Sequence, residues 1–220
     1  MTVSGVFKSL CQLKQSSTKG TDRIDGKILR LSAPFIADTI TYIYNLIIEK
    51  NKFPKVFKEV KVIPLYKSGD KSEPSNYRPV SILSVISKPV ERHKNEHIMN
   101  HFYINDLLHE NRSGFRLNHS CRTALTEPID TWLSEINLNK LCEALLIDFV
   151  KAFDVISYDL LIKKKTLYGL ATDTLTLIKS FLSDRRQVVY VKSKESKVKS
   201  VVFGVPQGSV LGPLFFHLYK

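Results

Sequence analysis

Apolar residues recur at helical spacing between Leu29 and Glu49, where Leu31, Phe35, Ile36, Ile40, Ile43, Leu46 and Ile47 mark one stripe. That pattern predicts a helix, and Pro54 closes it. Val60-Lys61-Val62-Ile63-Pro64-Leu65 alternates and is rich in β-branched residues, the signature of a strand. Lys67-Ser68-Gly69-Asp70-Lys71 supplies turn chemistry, and Asn76 to Ser81 predicts a second extended run. Helical spacing returns from Ser84 to Leu108 and from Thr123 to Leu138, with Pro128 a kink or boundary. Cys142 to Phe149 is a short apolar run that reads as a buried strand with Asp148 at its end. Tyr158–Leu170 and Thr172–Leu182 read as helices. Gln187–Lys192 and Lys197–Val202 read as a β-hairpin about Ser193–Ser196, Phe203–Gly208 as a loop, and Ser209–Tyr219 as an apolar helix. Residues 1–25 are polar and predict a loose lead-in.

Composition narrows the class. Of 220 residues, 43% are hydrophobic and 10% aromatic, enough to bury a core and to exclude global disorder. Cys11, Cys121 and Cys142 are odd in number and form no CxxC pair, which speaks against a disulfide scaffold or zinc ribbon and for a reducing compartment. The apolar run Ile40–Ile48 is broken by Thr41 and Asn45, too short to span a membrane, and residues 1–15 lack a signal-peptide core. The expectation is a soluble intracellular protein, of the nucleus or the cytoplasm, without a membrane partner.

The formal net charge is +12, which points to a polyanion, most often nucleic acid; the bland alternative is a basic surface that serves solubility. The excess is concentrated in two stretches. Lys50–Arg78 holds eight basic residues and three acids, and Arg185–Ser200 holds six basic residues and Glu195 alone, each net +5. Both alternate with apolar residues, so they read as folded elements with one basic face.

Three constellations could carry chemistry. Asp148, ending an apolar run, is either a strand-end cap or a carboxylate ligand for a hard cation, and the bare residues favour the cap. Gly204 to Pro213 forms a Gly-rich turn that opens a helix and allows a ligand to approach the backbone, but it is neither a P-loop nor a dinucleotide fingerprint. His93, His97 and His101 recur every fourth residue, without an HExxH pattern, and read as neutral imidazoles on a wet helix face. Ser209 lacks a GxSxG context.

Five runs in order resemble the reverse transcriptase of non-LTR (LINE-type, jockey-like) retrotransposons over roughly residues 20–220. Phe53-Pro54 and Val60 to Asp70 resemble the start of the fingers, and Ser75 to Leu83 resembles NYRPISLL. Asn111 to Arg116 with His119-Ser120 resembles NQSGFR…HS. Leu146 to Asp154 resembles LLDFSKAFD (motif A), and Gly204 to Leu218 resembles GVPQGSVLGPLLFLL (motif B). The resemblance implies an α+β right-hand polymerase fold. It divides into an N-terminal lead-in and helix (1–49), a fingers-like region (50–140) and a partial palm (141–220), with a small antiparallel sheet packed by helices.

The implied activity is RNA-directed DNA polymerisation on an RNA template and a DNA primer with dNTPs. Asp148 would be the catalytic carboxylate that binds Mg²⁺ (or Mn²⁺). Lys67, Arg78, Phe149, Phe153, Gln207 and Gly208 would bind the nucleotide, with Phe153 excluding a 2′-OH. Arg116, Lys151, Arg185, Arg186 and Lys192 would contact nucleic acid. Asp154 matches the family, with structure as plausible a role as catalysis. Val150, Ser157-Tyr158 and Arg112 depart from the family pattern, and no Asp-Asp dipeptide occurs. Two-metal chemistry needs a further carboxylate, so the expectation is a truncated domain that does not polymerise alone. The alternatives are a catalytically inactive nucleic-acid-binding remnant and a relic without a stable fold.

Overall fold

The computed structural model describes residues 1–14, 18–192 and 194–219; Ser193, placed by the sequence in a hairpin turn, lies outside the described residues. The chain is mixed helix and strand, as expected. Helices α1 (Val3–Cys11), α2 (Gly26–Glu49) and α3 (Lys88–Ile104) flank strands β1 (Glu59–Tyr66) and β2 (Tyr77–Ile82) in sequence. After them come α4 (Cys121–Asn137), α5 (Tyr158–Leu167), α6 (Thr172–Leu182), β3 (Arg185–Val191), β4 (Lys194–Glu195), β5 (Lys199–Val201) and α7 (Leu211–Tyr219).

The main core lies among the helices. Val6, Leu10, Ala33, Tyr44, Phe102, Phe181 and Phe215 are almost fully buried in one cluster. Over Val3–Cys11 the lead-in is therefore not loose, and its residues 15–17 lie outside the described residues. Thr2 caps α1 by accepting the Gly5 N–H, and Val6 and Leu10, one turn apart, are buried. At roughly 1.5–3 kcal/mol for each fully buried large apolar side chain, two such residues hold so short a helix in place. Helix α2 begins where Asp25 accepts the Lys27 N–H, and its Ala33, Ala37, Ile40, Tyr44 and Ile47 face is buried. By length and composition alone it is apolar enough to cross a membrane, unlike the shorter run expected from the sequence, yet a third of its most apolar window is buried inside the protein.

The sheet order is β2-β1-β3-β4, with β5 also paired to β3. β1 and β2 are antiparallel, with Lys61 opposite Ile82 and Leu65 opposite Arg78. β3 and β1 run parallel, with Lys61 opposite Val188. The sheet is thus mixed rather than wholly antiparallel, because the chain between β1 and β3 crosses over through four α-helices, α3 to α6. Val60 and Val62 pack with Leu83 and Val189 into a second, small cluster. β3 and β5 pair antiparallel, as the alternation predicts.

The expected strand at Cys142–Phe149 does not form. The segment has no regular structure, and Leu141, Leu145 and Leu146 are more than 80% exposed. A strand takes its stability from ladder hydrogen bonds and a covered face, and no described strand pairs with this one. Helix α4, opened by a reciprocal Ser120–Thr123 cap, runs through Pro128 without ending there and buries none of its residues.

Candidate functional site

The Gly-rich turn is held between two elements that are remote in sequence. Gly204 N–H donates to the Ile156 carbonyl at 2.9 Å, and Val205 N–H donates to that of Phe153 at 2.8 Å. On the other side, Ser81 N–H at the end of β2 donates to the Gln207 carbonyl at 2.9 Å. Two glycines permit this. Gly204 has φ +76°, and a Cβ there would lie 2.7 Å from the Asp154 carbonyl oxygen. Gly208 has φ +131°, and a Cβ would lie 2.4 Å from that of Ser81. The Gln207 amide Nε2 donates to the Asp154 carboxylate at 3.2 and 3.4 Å.

Beyond the turn, α7 starts on a buried polar platform. Ser209 Oγ accepts the Gly212 N–H at 2.9 Å, and Glu91 Oε2 accepts the Val210 N–H at 3.0 Å. Ser87 Oγ donates to the other Glu91 oxygen at 2.7 Å. A carboxylate against the first N–H groups of a helix suits the positive end of its dipole. Burial raises the Glu91 carboxyl above the usual carboxylate range; the Ser87 and Val210 hydrogen bonds and the Arg185 guanidinium act against that rise. Glu91 was not singled out from the sequence. Its signal was its place on the buried face of α3, seven residues before Ile98 and eleven before Phe102.

Arg185 belongs to this platform and not to a nucleic-acid surface. It is 1% exposed, and its Nη1 donates to the Phe181 carbonyl at 3.1 Å. The expected contact with nucleic acid is therefore corrected: a guanidinium sealed beneath β3, drawn to Glu91, does not reach a phosphate. Counting charge along the strand could not separate the inward Arg185 from the outward Arg186. Arg116 is half-buried, and its Nη1 donates to the carbonyls of His109, Glu110 and Arg112. It clamps its own loop. Arg78, Lys67, Lys151, Arg186 and Lys192 are all exposed.

The motif A residues divide between two environments. Phe153 is half-buried, stacks on Phe216 at 4.8 Å and meets the edge of Phe115 at 6.3 Å. The structure thus brings Phe153, Asp154, Gln207, Gly208 and Ser81 together. Asp148 stands apart. Its segment is irregular and its side chain exposed, so the expected buried strand-end carboxylate is corrected. Phe149 beside it is 55% exposed. Among the described residues no three His, Cys, Asp or Glu side chains are grouped so as to hold a metal ion. Asp148 offers one carboxylate, and a complete ligand set for a hard cation does not assemble around it.

The histidine stripe is half wet. His93 and His97 rings meet at 4.4 Å, and His101 Nε2 lies 2.9 Å from the Tyr168 carbonyl. Burial, aided by His97, the N-terminal amine and Lys94, lowers the His93 imidazole to about 4. It is neutral at pH 7, as the sequence reading holds.

Residues 66–219 match the family model described as reverse transcriptase (RNA-dependent DNA polymerase). The chain is similar over 219 residues, 31% identical, to the probable RNA-directed DNA polymerase from transposon BS of Drosophila melanogaster; the match covers 99% of this chain and 24% of that protein. It is 27% identical over 221 residues to the RNA-directed DNA polymerase from mobile element jockey of the same species, covering 100% and 24%. It is 33% identical over 182 residues to the probable RNA-directed DNA polymerase from transposon X-element, covering 82% and 20%. The chain therefore spans about a quarter of the length of these relatives or less. Matched over residues that include the β2 end, the Phe153–Asp154 turn and the Gly204–Gly208 loop, the chain belongs to the reverse transcriptase family and is similar to the polymerases of non-LTR retrotransposons.

Proposed function

We propose that this chain supplies the fingers (residues 50–140) and the first part of the palm (residues 141–220) of an RNA-directed DNA polymerase. The polymerase would extend a DNA primer on an RNA template by transfer of deoxynucleotides to the primer 3′-OH. The single observation that carries this reading is the seating of the Gln207–Gly208 turn on Ser81. Arg78 lies three residues earlier on the same strand, and Phe153 sits beneath the same turn. In this reading Arg78 and Lys67 hold the triphosphate, for which a guanidinium fork and an ammonium are suited. Gln207 and Gly208 line the nucleotide. Phe153, braced by Phe216, excludes a 2′-OH. Arg186, Lys192 and Lys151 follow the nucleic-acid backbone.

Polymerases of this family use divalent metal ions. Mg²⁺ is the proposed ion, and Asp148 is the carboxylate this chain offers it. That residue does not complete a metal site within these residues, so the 220-residue chain is expected to bind nucleic acid without extending a primer. The family match favours a polymerase over a non-enzymatic remnant.

The test is fluorescence anisotropy with a labelled RNA-template/DNA-primer duplex across a salt series. Binding should weaken linearly in log salt with a slope near one for each phosphate neutralised. Arg186→Ala with Lys192→Ala should weaken binding and flatten the slope by roughly one to two. Absence of binding at low salt overturns the reading. So does primer extension that persists in Asp148→Ala.

A further inference from the structure

We infer that Asp154 is a positioning residue that sets which way the Gln207 side-chain amide faces. The inference rests on the polymerase reading for its consequence but on geometry for its substance. Gln207 Nε2 lies 3.2 and 3.4 Å from the two Asp154 carboxylate oxygens. An ionised carboxylate only accepts hydrogen bonds, so it admits the NH₂ end of the amide and rejects the carbonyl end. The amide orientation is thereby fixed by its partner rather than by shape, since the two ends are isosteric.

Both residues are otherwise constrained. Asp154 N–H donates to the Lys151 carbonyl at 2.8 Å, closing the turn that presents it. On either side of Asp154, the Phe153 and Ile156 carbonyls hold the Val205 and Gly204 N–H groups. The Gln207 backbone is fixed from the opposite side by Ser81. One short segment, Phe153–Ile156, therefore grips the turn three times, twice through backbone and once through the Asp154 side chain. The backbone grips place the turn. The carboxylate grip adds something the backbone cannot, the polarity of the amide.

Gln207 is half-exposed, and its Oε1 has no hydrogen-bond partner among the described residues. With Nε2 held by Asp154, Oε1 is the atom left to accept from a ligand. A nucleotide seated on this turn would be read by a hydrogen-bond donor on its sugar or base. An amide free to flip would lose that discrimination.

The experiment uses the 220-residue chain labelled with ¹⁵N. The Gln207 side-chain NH₂ signals, assigned by their loss in Gln207→Ala, should shift in Asp154→Asn, with the backbone spectrum retained. In parallel, dTTP is titrated into the chain bound to the RNA-template/DNA-primer duplex. Asp154→Asn and Gln207→Ala should each weaken dTTP about tenfold, the effect of one charge-assisted hydrogen bond. The double variant should be no worse than either, and Asp154→Glu should restore part of the loss.

Gln207 signals indifferent to Asp154→Asn would overturn the inference, as would additive losses in the double variant. Failure of the unmodified chain to bind the duplex sinks the polymerase reading, while the amide signals still decide whether Asp154 orients Gln207. If Asp154→Asn fails to fold, Asp154→Glu decides the same question, since its longer carboxylate meets the amide from another position: unmoved Gln207 signals overturn the inference.

Discussion

Gly208 lies against the Ser81 carbonyl so closely that a methyl group at its Cα would sit 2.4 Å from that oxygen. No backbone or side-chain rotation relieves such a contact, because Ser81 is itself held in β2 opposite Val62 and donates its N–H to Gln207.

Gly208→Ala should therefore lose about 1–3 kcal/mol, the usual cost of forcing a side chain into such a backbone conformation. At this chain length that is a fall of roughly 2–4 °C in Tm per kcal/mol. Thermal unfolding by circular dichroism measures it, and an unchanged Tm would show that the turn can leave β2 without cost.

Lys165 is buried, and its Nζ has no hydrogen-bond partner but lies 3.7 Å from the centroid of the Phe215 ring. The two facts pull in opposite directions. A desolvated cation–π contact returns about 2 kcal/mol, less than the several kcal/mol lost on burying an ammonium. Burial wins and drives the Lys165 pKa well below its ordinary value. In the acid-to-neutral range the unfolded chain holds its proton more readily than the fold does, so Lys165 costs stability there and less as pH rises towards 10. Lys165→Met should stabilise the protein at pH 7 by about 1–3 kcal/mol. The gain should shrink in alkali, as read by urea unfolding at pH 7 and pH 10.

His93 carries the same sign of dependence into acid. Its folded value of about 4 is below the usual 6.5. The unfolded chain therefore binds the proton first, and stability present above pH 6.5 is lost as pH falls through 4. Because the ring is partly exposed, the loss is about 1 kcal/mol, well short of the full shift. His93→Gln should flatten the curve of Tm against pH between 6.5 and 4 and leave it unchanged above pH 7.

The run from Leu141 to Val150 exposes Leu141, Leu145, Leu146, Ile147 and Val150 at 69% or more. Contiguous apolar patches of this kind promote association. Replacement of Leu141, Leu145 and Leu146 by Lys should leave Tm within about 1 °C, since exposed positions contribute little. The same variant should reduce concentration-dependent self-association in sedimentation velocity. A large fall in Tm would mean that the run is packed in solution.

How far the sequence could be read depended on the range of each interaction. Helices α2, α5, α6 and α7 and strands β1 and β2 were legible because periodicity and turn residues are local. Helix α1 was missed because its polar composition hides Val6 and Leu10, which matter only once α2 is beside them. The inward Arg185 and the outward Arg186 are adjacent basic letters that only packing distinguishes.

By itself the sequence determined the family, through motifs in order, and with it the mixed helix–strand fold and the residues around the Gly204–Gly208 turn. It did so because those motifs are short and tolerate only certain backbones. Tertiary structure alone decided which of these residues meet. It joined Ser81 to Gln207 and Asp154 to the Gln207 amide across 126 and 53 positions of chain. It also left the Asp148 run without a strand partner. A strand needs a second strand to satisfy its backbone, and that partner is a property of the fold, not of the run itself.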